Sequence, residues 1–160
     1  MAFSPWTGQL GALLTESFGG EVDADWVEAS GWRFVSVHGA HVPEASEVRR
    51  LAEEIGSTLV CAYVADSDVA WVQWQPPGSD AIALTVNPDE ADAYGLDVET
   101  FDDATLAATL PVPPEAVPRV QAVLSADYGF AEDGVLALAC AVGLIDADRL
   151  RELAVGDLEP

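Results

Sequence analysis

Hydrophobic residues recur at helical spacing near the start of the chain, at Trp6, Leu10, Leu13, Leu14 and Phe18. Ser4 suits a cap, Pro5 a first turn and Gly19-Gly20 a stop, so a helix is predicted from Ser4 to Phe18. The next stretch, Glu21 to Gly31, is acidic around Trp26 and fits either a short helix or a loop. A second helical stripe (Ala45, Val48, Leu51, Ala52, Ile55) follows Pro43, with Glu44 and Glu47 at its positive end and Gly56 behind it.

Period-two and fully apolar runs predict strands. Trp32 to Val37 is aromatic and β-branched. Thr58 to Ala65 is nearly all apolar, as a strand covered on both faces is. Asp66-Ser67-Asp68 then turns the chain into Val69 to Gln75, and Pro76 to Asp80 turns it into Ala81 to Val86. Short connections make these an antiparallel meander, while the span from Val37 to Thr58 also permits a parallel crossover.

The remainder turns helical. Asn87-Pro88-Asp89-Glu90 reads as a capped start and Gly95 as its end. Leu96 to Phe101 alternates weakly, as an edge strand does. Helices are expected over Asp102 to Leu110, Glu115 to Ser125, Ala131 to Val142 and Asp146 to Val155. The expected fold is α+β: a mixed or antiparallel sheet of about four strands, helices packed on it, and a helical C-terminal third. The proline run Pro111, Pro113, Pro114 is too short to divide domains, so residues 1–160 are read as a single globular domain.

Composition narrows the chemistry. Half of the 160 residues are hydrophobic and mean hydropathy is +0.20, enough for a buried core. Twenty-eight acidic residues face six basic ones, a net charge of -22. All six are arginine, which removes every mechanism that needs a lysine, from the P-loop to the Schiff base. Such a charge repels nucleic-acid phosphates and anionic lipid, and it draws in basic proteins. Coding bias and adaptation to salt are competing origins for the same acidity.

The longest apolar run, Gly134 to Ile145, falls well short of a bilayer span, and Met1 to Leu14 lacks a basic leader. A cytoplasmic protein is expected. Cys61 and Cys140 sit in apolar surroundings without zinc spacing and read as buried, reduced thiols.

Candidate chemistry is sparse. His38 and His41 are the only histidines and the only side chains that titrate near neutral pH. With Asp66, Asp68 or Cys61 they would form a metal site or a small catalytic centre, if the fold brought them together. Asp66-Ser67-Asp68 lacks the further ligands of a calcium loop and is an ordinary turn sequence. Trp71 and Trp74 point to opposite faces of one strand. The valine–glutamine alternation puts Trp74 with Val72 inside and Trp71 with Gln73 outside. An exposed indole beside carboxylates suits an arginine-bearing partner.

The leading expectation is therefore a non-enzymatic acidic module that binds a basic protein, as an immunity- or antitoxin-like protein or an effector chaperone does. Its expected contacts are Trp71, Asp66, Asp68, Asp80, Glu90 and Asp92, with no cofactor, metal, nucleic acid or membrane. The alternative is a small enzyme or metal-binding protein built on His38 and His41. Small toxin-neutralising proteins and secretion chaperones are similar in size and charge alone, so no residue is carried over from them.

Overall fold

A computed structural model describes residues 1–5, 8–27, 31–95, 98 and 103–149. The fold is α+β. Six strands form one sheet: β1 (Ala2–Ser4), β2 (Glu21–Val27), β3 (Arg33–His38), β4 (Leu59–Ala65), β5 (Val69–Gln75) and β6 (Ile82–Val86), in the order β2-β3-β1-β4-β5-β6. Helices α1 (Leu10–Phe18), α2 (Ala45–Ile55), α3 (Asp103–Thr109), α4 (Val117–Leu124) and α5 (Ala131–Ala141) complete it, with 3-10 turns at Pro88–Tyr94 and Pro114–Ala116.

Six strands replace the four expected, because two were hidden. β1 has three residues, all buried, between β3 and β4. A strand covered on both faces shows no alternation, and Ala2-Phe3-Ser4 is too short to reveal one. Ser4 is accordingly a strand residue opposite Arg33 and not a helix cap; helix α1 starts only at Leu10. β2 occupies the acidic stretch first read as helix or loop. A register shift between Val22 and Ala24 interrupts its alternation against β3.

The ladders of β1 with β3 and β4, and of β2 with β3, are antiparallel. β1 runs antiparallel to both β3 and β4, so those two point the same way without being neighbours. The parallel crossover is thus split by the chain's own first strand, whose amino terminus donates to the Ala62 carbonyl at 2.8 Å.

The chain forms two compact units. The first comprises Met1–Tyr63 with Val72–Ala83, the second Val64–Trp71 with Leu84 onward. In the first, α1 and α2 bury Leu10, Leu14, Phe18, Val48 and Leu51 with the sheet residues Ala2, Val35, Leu59 and Cys61. The opposite sheet face carries aromatics: Trp26 stacks on Phe34 at 4.0 Å and Phe3 meets Phe34 edge-on at 5.0 Å. Between α1 and β2 the chain turns at Gly20 (φ 81), where any Cβ would strike the His38 carbonyl. Only glycine fits there.

In the second unit, α4 buries Val117 and Val120, and α5 buries Val135 and Leu138. The last third is less uniformly helical than expected, with bends and turns at 125–130 and 142–146 around these two helices. The end of the expected final helix lies outside the described residues, as does most of the weak strand over Leu96 to Phe101. The segment after Asn87 closes as a 3-10 helix ending at Gly95 (φ 66).

Candidate functional site

Several polar side chains of the second unit meet at the β4–β5 turn. Asp66 (φ 49) and Ser67 (φ 63) are both left-handed, and the Asp68 amide donates to the Ala65 carbonyl at 3.0 Å. Two successive left-handed residues give the hairpin a twist that matches its strands. Aspartate and serine bear that backbone only where the surroundings hold it.

Those surroundings are explicit. The Ala131 amide, at the start of α5, donates to the Ser67 carbonyl at 2.7 Å. Ser67 Oγ donates to Glu132 Oε1 at 2.8 Å. Asn87 Nδ2 donates to the carbonyls of Asp68 and Tyr128, both at 2.8 Å, and its Oδ1 accepts from the Tyr128 amide at 3.0 Å. Asn87 therefore does not cap the following helix with its side chain, as its position suggested; it pins the turn to the segment before α5.

Onto this fixed turn Tyr94 delivers its hydroxyl, donating to Asp68 Oδ2 at 2.8 Å. The phenol is pushed up to about 12, first by that hydrogen bond, then by burial and by the charges of Asp68 and Asp66. One carboxylate thus holds that hydroxyl, and a second, Asp66, is exposed on the same turn. Such a pair can receive a guanidinium or ammonium group with its geometry already set.

The other expected contact residues fall in different places. Glu90 and Asp92 are exposed on the 3-10 helix that carries Tyr94. Trp71 is half-buried on β5. Asp80 belongs to the first unit, exposed and 3.5 Å from Arg49. Gln73, expected outside with Trp71, is 1 % exposed and its neighbour on that face, Gln75, 0 %, while Val72 and Trp74 are buried as expected. Glutamine alternation marks exposure only when one sheet face is wet; here both faces of β5 are covered, and the two amides bond each other at 3.0 Å.

The histidines do not meet in one centre. His38 Nδ1 lies 2.6 Å from Asp23, and His41 Nε2 lies 3.3 Å from Glu47, all on exposed surface. Glu47 is held below the usual carboxylate range, chiefly by the Glu44 amide and then by His41. Cys61 is buried, its thiol raised by desolvation, and Cys140 is half-buried; both are free. Among the described residues no three His, Cys, Asp or Glu side chains are placed to hold a metal ion, and no helix is long and apolar enough to cross a membrane.

Sequence reasoning missed Tyr94, Asn87 and Glu132. Asn87-Pro88 looked like a helix start, and no local pattern links Tyr94 to Asp68. No family model, curated protein or solved structure matches the chain.

Proposed function

We propose that this chain is a non-enzymatic, acidic protein-binding module of the cytoplasm, an immunity- or antitoxin-like protein or an effector chaperone, and that its β4–β5 turn receives a cationic side chain of a basic protein. The observation that carries this reading is the pair of exposed carboxylates, Asp66 and Asp68, on one fixed turn, with Asp68 held by the Tyr94 hydroxyl at 2.8 Å. A partner arginine or lysine inserted there gains two carboxylates without ordering a loop. Glu90 and Asp92 add charge at the rim, where pairs contribute to steering more than to affinity. The field of a -22 molecule speeds the approach of a basic partner and repels nucleic acid and anionic lipid. Trp71 contributes only its exposed part, and Asp80 serves its own arginine. Binding acts by covering the partner's surface.

Co-purification from native lysate at low and at high salt, followed by titration of the recovered partner, tests the reading. The Asp66→Asn/Asp68→Asn double variant keeps the turn, because asparagine tolerates left-handed backbone. It should weaken binding roughly a hundredfold, as loss of two charge-assisted contacts does. The charge-matched Glu16→Gln/Glu53→Gln variant should change affinity only about twofold. Failure to recover a stoichiometric partner at either salt concentration would defeat the proposal. So would equal losses in the two variants.

A further inference from the structure

β2 ends the sheet on its side: β3 pairs with one edge of it, and among the described residues no strand pairs with the other. A terminal strand offers a row of main-chain donors and acceptors that a second extended chain can match. After the shift between Val22 and Ala24, the ladder is regular from Ala24 opposite Ser36 to Val27 opposite Arg33. An incoming strand therefore meets an even pleat at one end and acids at the other.

The side chains decide which chain fits. Val22 and Val27 are 42 % and 54 % exposed, two of the five large hydrophobic side chains uncovered among the described residues, so apolar contact is on offer. The first 32 residues hold five acidic side chains and no basic one. Along β2, Arg33 takes both oxygens of Asp25, whereas His38 takes one oxygen of Asp23 and Glu21 stands exposed. The charge left to meet is negative, and lysine or arginine side chains answer it. A second copy of this chain would set acids against acids.

We propose that the open edge of β2 takes an extended, basic segment of another protein as a seventh strand of the sheet. Main-chain bonds supply the affinity, and alternation of cationic with β-branched residues supplies the selection. The site lies in the first unit; it goes beyond the reading of the β4–β5 turn and does not depend on it.

The test titrates the ¹⁵N-labelled full chain with an N-acetylated, C-amidated heptapeptide of alternating lysine and valine. Saturating amide shifts should centre on residues 21–27, with slowed hydrogen exchange there. Two analogues carry the same charge, one N-methylated at its lysines and the other at its valines. Successive amides of a strand point to opposite edges, so one analogue should bind roughly tenfold more weakly and the other should keep its affinity. Glu21→Lys should weaken the parent peptide roughly fivefold, and Glu53→Lys, the same charge change on the exposed side of α2, at most about twofold. Equal affinity of the two analogues, shifts spread over the whole acidic surface, or equal losses in the two charge swaps would each overturn the proposal. Protection of residues 21–27 that grows with protein concentration in the absence of peptide would assign the edge to a second copy and overturn it as well.

Discussion

Asn87 shows how much one buried amide can organise. It adopts a left-handed backbone (φ 54), which asparagine tolerates better than most residues, and spends both ends of its side chain on Asp68 and Tyr128. Alanine at this position would leave two carbonyls and one amide without their partner. Each such loss costs about 1–3 kcal/mol, though water reaching the vacated space recovers part of it. Asn87→Ala should therefore lower stability by about 3 kcal/mol, read as a shifted urea midpoint with an unchanged slope. Tyr94 offers a second measurement. Its phenol is pushed up to about 12 by Asp68, so Asp68→Asn should return it toward the ordinary value of about 10, visible in phenolate absorbance. Because the folded value is the higher one, the stabilisation is complete below about pH 10 and is lost as pH rises toward about 12.

At the level of elements, legibility followed how local each signal was. α2 declares itself through Val48, Leu51 and Ala52 on one stripe and Gly56 (φ 61) behind, and the structure adds a reciprocal pair in which Glu44 and Glu47 bond each other's backbone amides. The β4–β5 hairpin was equally plain, because Asp-Ser-Asp between apolar runs is turn chemistry. β1 was illegible: three buried residues take their identity from β3 and β4, which lie far along the chain. The candidate site was half legible. Asp66 and Asp68 were in view as turn residues, but the Tyr94 hydroxyl that makes them a pair arrives through tertiary folding. Helix α5 illustrates the opposite problem, a local rule overruled by packing. Gly134 in its first turns looks replaceable, since alanine favours helix by about 1 kcal/mol. An added Cβ would collide with Val86 and with the Tyr128 ring. Overpacking of that kind costs about 1–3 kcal/mol, so Gly134→Ala should lower the thermal midpoint by several degrees despite its better propensity.

For the molecule as a whole, the -22 charge sets the response to solvent. Carboxylates crowded on one small chain repel one another, and compaction brings them closer. Added salt should relieve this. Raising sodium chloride from about 10 mM to about 300 mM shortens the screening length from about 30 Å to under 8 Å, and calorimetry should show the thermal midpoint rising by several degrees. A flat response would mean that the attraction lost by ion pairs such as Arg33–Asp25, closed at 2.6 and 2.7 Å, offsets the repulsion relieved.

β2 closes the sheet on one side, and three of its seven residues are acids: Glu21, Asp23 and Asp25. An open strand margin invites a neighbouring molecule to extend the ladder, and like charges along it forbid that approach. Without those acids the same margin would offer Val22 and Val27, both uncovered, as a seam along which molecules can zip. A Glu21→Gln/Asp23→Asn variant should therefore cloud at concentrations where the parent chain stays clear, and a lysine grafted at this border should postpone it.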